Sequence, residues 1–419
     1  KVEDGKMADF GATELEAFRT EARDWLEANY PPSLRDDPAP LSAWLGGGAK
    51  ATPDVDLWRQ RMGEKGWGVP TWPKQYGGGG LTPAEARVLQ EEMAHLGAIN
   101  PIGGMGVIMF GPTLLEYGTE AQIMEHIPRI ARAEVRWCQG YSEPGSGSDL
   151  ASLQTKAEDK GDHWLINGQK IWTSGAQHAD MCFCLVRTDP KARKHEGISM
   201  LMIPMHQPGV EPRPIRLIND SSPFCETFFT DATAPKENMV GPLNGGWTVG
   251  KRLLQHERSG ISGAGGASAR PSMAGGPLNE MATKYVGVDD DGRLADADLR
   301  RRLTDHMMEA RAFALTGRRL AVEDRSNRGP TAASSILKNV GSKVRSDSAE
   351  LALEIIGHQG VGWGGDDFTP EEVSIVRTWL GGKAGTIAGG SYEVQNNIIS
   401  KRILGLPDLP QANAGPGGR

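Results

Sequence analysis

Hydrophobic spacing along the chain changes texture twice. In the first third, apolar residues recur every three or four positions. Leu15, Phe18, Ala22, Trp25 and Leu26 stripe one face of a helix, which Pro31-Pro32 then stops. The same period predicts helices over 56–65, 83–96 and 122–133, with a Gly/Pro-rich surface stretch over 36–53. From about Val135 the runs shorten. Apolar or β-branched segments at 181–186, 198–205 and 226–231, bounded by turn residues, read as strands. Trp164-Leu165-Ile166, Asn167-Gly168 and Gln169-Lys170-Ile171-Trp172 read as a hairpin, because Asn-Gly accepts the positive φ of a type I′ turn. After Trp247 the helical period returns, over 247–259, 294–326, 335–353 and 391–404. The expectation is an α+β chain with a helical domain over 8–134 and a β-domain over 135–246. A helical domain over 247–405 and a disordered Gly-rich tail over 406–419 follow.

Composition excludes several functions. Net charge is −7 with 24% charged residues, and the Arg300-Arg301-Arg302 cluster has acidic neighbours, so no field points toward nucleic acid. No run of eighteen apolar residues exists, so no membrane span is expected. The start, Lys1-Val2-Glu3-Asp4-Gly5-Lys6, lacks the apolar stretch of a signal peptide and reads as an unstructured leader. Cys138, Cys182, Cys184 and Cys225 contain no Cys-x-x-Cys pair. They read as structural thiols of a reducing cytoplasm, with no metal site. Asp289-Asp290-Asp291-Gly292 lacks the alternating ligands and terminal Glu of a calcium loop and reads as a surface turn.

Three segments carry candidate chemistry. Tyr141-Ser142-Glu143-Pro144-Gly145-Ser146-Gly147-Ser148-Asp149 is a loop whose small residues let backbone amides approach a ligand. Asn167-Gly168-Gln169-Lys170-Ile171-Trp172-Thr173-Ser174 follows it, and Gly390-Ser391-Tyr392-Glu393-Val394-Gln395-Asn396-Asn397-Ile398-Ile399 lies near the end. In this order, with Tyr117-Gly118-Thr119-Glu120 and Gly357-His358-Gln359-Gly360 between them, they resemble the acyl-CoA dehydrogenase family over roughly 8–405.

That resemblance implies a helical N-terminal domain, a middle β-domain of barrel or sandwich form, and a C-terminal four-helix bundle. It also implies an FAD cofactor, an acyl-CoA substrate and oxidation of its C2–C3 bond, as in β-oxidation. An electron-transfer flavoprotein as acceptor and a homotetramer or homodimer come with it. Tyr141, Ser142, Gly147 and Ser148 match the family's flavin loop, Ser148 also facing substrate. Trp172 and Ser174 match residues packed on the isoalloxazine ring and bonded near N5, and Ser391 and Glu393 match cofactor contacts from the C-terminal domain.

The chemistry needs a base for the C2 proton: a carboxylate whose pKa is raised by an apolar pocket. In the commonest family pattern that Glu directly precedes the glycine of the C-terminal motif. Here the position is Gly389, followed by Gly390, and both fall against the substrate in the family pattern. Leu254-Gln255-His256-Glu257-Arg258 matches the helix on which isovaleryl- and long-chain-type members carry their base. The resemblance therefore assigns catalysis to Glu257, and substrate or backbone contact to Arg258. The alternative for Glu257 is a helix-surface acid paired with Lys251 or Arg252. Two departures concern the neighbouring subunit. The family's Arg-x-x-Phe-Gly element is missing near Lys284-Tyr285-Val286-Gly287, and Glu354 replaces a common Gln that contacts the neighbour's FAD. They keep two other readings open: a supporting subunit of a heteromer, and a family member with altered chemistry such as desulfination.

Overall fold

The computed structural model describes residues 12–46, 49–261, 277–323 and 334–407. It divides into two compact units, one of residues 1–215 with 222–256, the other of residues 216–221 with 257–419.

The first unit begins with helices α1 (Ala12–Asn29), α2 (Pro32–Asp36), α3 (Ala39–Leu45), α4 (Pro53–Lys65), α5 (Pro83–Leu96), α6 (Gly111–Tyr117) and α7 (Glu120–Ala131). Local chemistry sets their ends. Thr82 and Glu85 form a reciprocal capping box at the start of α5, and Gly97 closes it in the left-handed conformation. Thr119 and Gln122 do the same for α7. The expected surface stretch over 36–53 contains α3 instead. Pro38 and Pro40 preset φ for a helix start, and fully buried Leu41 anchors it. Phe18, Ala22 and Leu26 lie in the core beside Trp58, whose indole N–H donates to the Ile99 carbonyl at 2.8 Å.

Eight strands follow: β1 (Trp137–Gly140), β2 (Lys156–Asp159), β3 (His163–Ser174), β4 (Met181–Arg187), β5 (Ile198–Pro204), β6 (Val210–Ile215), β7 (Phe224–Pro235) and β8 (Met239–Val240). They pair in the order β6-β7-β3-β2-β4-β5-β8, with β1 parallel to β4. The link from β2 to β4 is a single bridge, Lys156 to Arg187, so the sheet divides into two halves. Trp164, Ile166, Phe229 and Ala232 from one half share a core with Cys138, Cys182, Leu201 and Ile203 from the other. All four cysteines are buried and free. β6 escaped the sequence pattern because Pro212 and Pro214 interrupt it, and it lies at the sheet edge, where a missing N–H is tolerated.

The expected hairpin at Asn167-Gly168 does not form. β3 runs straight through, and the turn lies earlier, at Gly161 (φ 95°), between β2 and β3. Asn167 and Gly168 sit at an irregularity in the β3–β7 ladder instead. The Asn167 side chain accepts from the Asp231 amide at 2.9 Å and donates to its carboxylate at 3.0 Å. Glycine is needed at 168 because a Cβ there would come within 2.6 Å of Thr155 Cα.

Helix α8 (Gly246–Ile261) follows the sheet, and its Val249 and Leu253 join the first unit's core. The second unit holds α9 (Leu278–Tyr285), α10 (Ala297–Glu323), α11 (Ser334–Ile355), α12 (Pro370–Gly382) and α13 (Tyr392–Ile398). Helices α9 to α12 close on one core, Leu278 and Met281 meeting Leu299, Leu303, Ile355 and Ile375. Among the described residues no helix is long and apolar enough to cross a membrane. Of the tail expected over 406–419, residues 408–419 lie outside the described residues.

Candidate flavin and acyl-CoA site

Strand β1 delivers the chain into the loop at 141–149. Gly140 is required at the exit, since a Cβ would come within 2.8 Å of Cys184 Sγ and 2.9 Å of Cys182 Sγ. Tyr141 is buried, its ring edge-on to Phe183. The Glu143 and Ser146 backbones exchange hydrogen bonds of 3.0 and 2.9 Å, and Ser146 Oγ donates to the Asp149 carbonyl at 2.9 Å. These bonds fix a tight turn that leaves Ser142 half-buried and Gly147 and Ser148 exposed. A Cβ on Gly145 or Gly147 would meet nothing within 4 Å.

The Glu143 carboxylate turns inward. It accepts from the Gln154 amide at 2.6 Å, the Thr155 amide at 2.9 Å and Lys170 Nζ at 2.8 Å. Burial alone would raise its pKa, but the Lys170 ammonium and these donors outweigh it and hold the carboxyl below the usual range. Lys170, on β3, has no exposed surface, and its Nζ also donates to the Tyr141 carbonyl at 3.0 Å. Both stand within the motifs that carry the family resemblance, but the sequence assigned neither a role. The available signal was a lysine on the inward face of a strand, in phase with Trp164 and Ile166.

One residue further on, the Ile171 amide donates to the Ser142 carbonyl at 2.8 Å, and the β3–β7 ladder loses register between Lys170 and Thr173. Strict alternation would turn Trp172 inward. The shift turns it outward, 53% exposed, with φ +60° and its ring edge-on to Phe224. Thr173 takes the buried side and Ser174 stays half-buried. Tyr141 and Ser142 are thus hydrogen-bonded to the strand that carries Trp172 and Ser174, with Gly147 and Ser148 exposed in the same loop. An exposed aromatic face, accessible hydroxyls and a glycine backbone unobstructed by any described residue within 4 Å of a Cβ at Gly145 or Gly147 fit a flavin nucleotide.

In the second unit Gly389 (φ 68°) and Gly390 (φ 95°) form a left-handed loop before α13. Buried Gln395 holds it, Nε2 donating to the Gly389 carbonyl at 2.8 Å, and a Cβ at Gly390 would approach that nitrogen to 2.6 Å. Ser391 caps α13 through the Val394 amide. The Ser391 hydrogen bond lowers the pKa of the Glu393 carboxyl. Beneath the segment, buried Lys338 on α11 donates to the Thr386 carbonyl at 3.3 Å. Glu354 stands apart from it, in an ion pair with Arg302 on the surface of α10 and α11. Glu257 and Arg258 lie on helix α8, with side chains outside the described residues.

Family models for acyl-CoA dehydrogenase match in three parts: the N-terminal domain over 12–134, the middle domain over 138–232 and the C-terminal domain over 244–404. The chain is 36% identical to the acyl-CoA dehydrogenase IpdE1 of Mycobacterium tuberculosis, across 94% of this chain and 98% of that one. The chain belongs to the acyl-CoA dehydrogenase family. It is also 31% identical to glutaryl-CoA dehydrogenase of Desulfococcus multivorans, over 82% of this chain and 87% of the relative. Among solved structures it resembles one described as the Tcur3481-Tcur3483 steroid ACAD, with TM-score 0.75 and 29% identity, covering 95% of this chain and 98% of that one. The ChsE4-ChsE5 complex from Mycobacterium tuberculosis is similar, with TM-score 0.70 and 29% identity over 94% and 98% of the two chains. As an acyl-CoA dehydrogenase the protein is an oxidoreductase that acts on an acyl-CoA thioester with FAD as cofactor.

Proposed function

We propose that this acyl-CoA dehydrogenase acts on a bulky, branched or cyclic acyl group, with Glu257 as the base. The observation that carries the reading is the Gly389–Gly390 loop. Position 389 has no carboxylate and a left-handed backbone that a Glu would adopt only under strain. Proton removal then falls to Glu257, directly before Arg258 on α8. Two small residues at 389 and 390 also leave room for a wide acyl group. The similarity to a structure described as a steroid ACAD supports the same substrate class.

FAD, when bound, supplies the acceptor for the hydride from C3. The chain supplies the rest. Glu257 takes the proton from C2 of the thioester, and desolvation by the bound acyl group raises its affinity for that proton. Ser142, Gly147, Ser148, Trp172 and Ser174 hold the cofactor, with Ser391 and Glu393 contributing from the C-terminal segment. Ser148, Arg258, Gly389 and Gly390 contact the substrate. An electron-transfer flavoprotein accepts the electrons, and the chain works as a cytoplasmic homodimer or homotetramer. Glu257→Gln should lower turnover by about 10²- to 10⁴-fold while FAD stays bound; wild-type turnover in that variant would refute the assignment.

A second reading, a subunit of a heteromer, is favoured by the missing Arg-x-x-Phe-Gly element. Tyr285 and Lys284 at that place instead bind Glu372 and Glu371 of α12. Two of the similar structures also carry paired component names. The flavin content of the chain expressed alone separates the readings: a yellow protein supports the homo-oligomer and a colourless one the heteromer.

A further inference from the structure

We propose that the Glu143–Lys170 ion pair is a positioning device: it locks the 141–149 loop to the strand carrying Trp172, so that both flavin-facing segments stand in one fixed arrangement before the cofactor arrives. The proposal rests on the reading that these two segments hold FAD.

Stability alone gives a poor reason for the pair. A fully buried ammonium is costly to desolvate, and a well-packed apolar pair of similar volume is commonly as stable or more so. What the pair supplies is geometry. Lys170 Nζ reaches the Tyr141 carbonyl at the loop's entry, while Glu143 reaches the Gln154 and Thr155 amides beyond its exit. Entry, exit and strand therefore meet at two side chains. Next to them the Ile171 amide turns to the Ser142 carbonyl, at the point where β3 and β7 lose register. That diversion puts Trp172 on the outer face with φ +60°, a conformation bulky residues rarely adopt unless their surroundings impose it. Glu143 and Lys170 are both buried, so they act through Tyr141, Ser142 and Trp172 rather than by touching the cofactor.

The test uses apoprotein of wild type, Glu143→Gln, Lys170→Met, the double variant and the controls Trp172→Ala and Ser142→Ala. Each is titrated with FAD, melted without it, and examined for the visible circular dichroism of bound flavin. The double variant leaves no orphaned charge and should melt close to wild type. It should nevertheless bind FAD about tenfold more weakly, the order of one lost charge-assisted hydrogen bond, with an altered flavin spectrum. A pair with only a structural role would move the melting point and leave the spectrum alone. A folded double variant with wild-type FAD affinity and spectrum overturns the proposal. Should the charge variants fail to fold, hydrogen exchange on wild-type apoprotein decides. Protection of the Gln154, Thr155 and Ile171 amides without FAD supports the lock, and protection only after FAD is added overturns it. Unchanged FAD binding in both controls has a different signature: it sinks the assignment of the flavin segments, and the proposal with it.

Discussion

Two acid–base pairs sit at or beside positions flagged by the sequence, and they do different things. Glu143 and Lys170 meet inside the β-domain, Lys170 wholly buried and Glu143 8% exposed, and each also bonds backbone groups at the entry to the loop or beyond its exit. Arg302 and Glu354 meet on the surface of the helical bundle, both substantially exposed, with Asp298 as a further partner of the arginine. Burial separates the two. In water a carboxylate and a guanidinium gain little by pairing. Inside a core, removing one member strands the other in a medium that cannot solvate it. A residue's place in a family motif therefore says less about its energetic weight than what surrounds it.

The sharpest break of this comparison is Lys170→Met. It should cost ~3–5 kcal/mol in chemical denaturation of the apoprotein, by leaving Glu143 uncompensated. A loss as small as that of a surface pair would show that the interior at Glu143 is wetter than its contacts imply.

Acid should act next, in two descending steps. Burial lowers the pKa values of His126 and His306, and of His256 despite its neighbour Glu116. Below about pH 6.5 the unfolded chain takes up protons that these folded imidazoles refuse, so stability falls as pH falls through that value. The depressed carboxyls work at lower pH. Glu143 and Glu92 contribute stability above about pH 4.5 that is lost as pH drops through their lower folded values. Melting temperatures recorded from pH 8 to about pH 2.5 should decline in the first window and again below about pH 4.5. A flat curve between pH 7 and 5.5 would contradict the buried-histidine account, and His126→Phe should remove part of the first step.

The smallest effect belongs to the surface pair. Glu354→Ala should change stability by less than ~1 kcal/mol by the same denaturation measurement. A larger loss would mean that Glu354 is buried against something beyond this chain, as the family pattern of a subunit contact implies.

Much of the fold was legible because the helical and β periods contrast so strongly. The helix at Pro83–Leu96 matches its expected limits, punctuated as it is by Thr82, Pro83 and Gly97. The strands at Met181–Arg187 and Ile198–Pro204 were equally plain, being apolar but for Arg187 and Ser199. Failures have local causes. Asn167-Gly168 looked like a turn because sequence cannot distinguish a glycine that closes a hairpin from one that serves an irregularity within a strand, here with positive φ and a close approach to Thr155. Helix α12 was missed although Thr369 and Glu372 box its start, because glycines before and after it mimic loop. At the candidate site, Ser148 and Trp172 were picked out by the family resemblance. The residues that organise them were not, since their role depends on a long-range meeting of Glu143 with Lys170. The outward turn of Trp172 was illegible too, because alternation along β3 predicts the opposite face.

The central claim is dehydrogenation of a bulky acyl-CoA thioester, and anaerobic titration of the bound flavin's absorbance tests it most directly. A panel should compare cyclic and branched thioesters with straight-chain ones such as butyryl- and octanoyl-CoA. A cyclic or branched thioester should bleach the flavin rapidly, and the straight chains slowly or not at all. Fastest bleaching by a straight-chain thioester, or a bound flavin that no thioester bleaches, would contradict the claim.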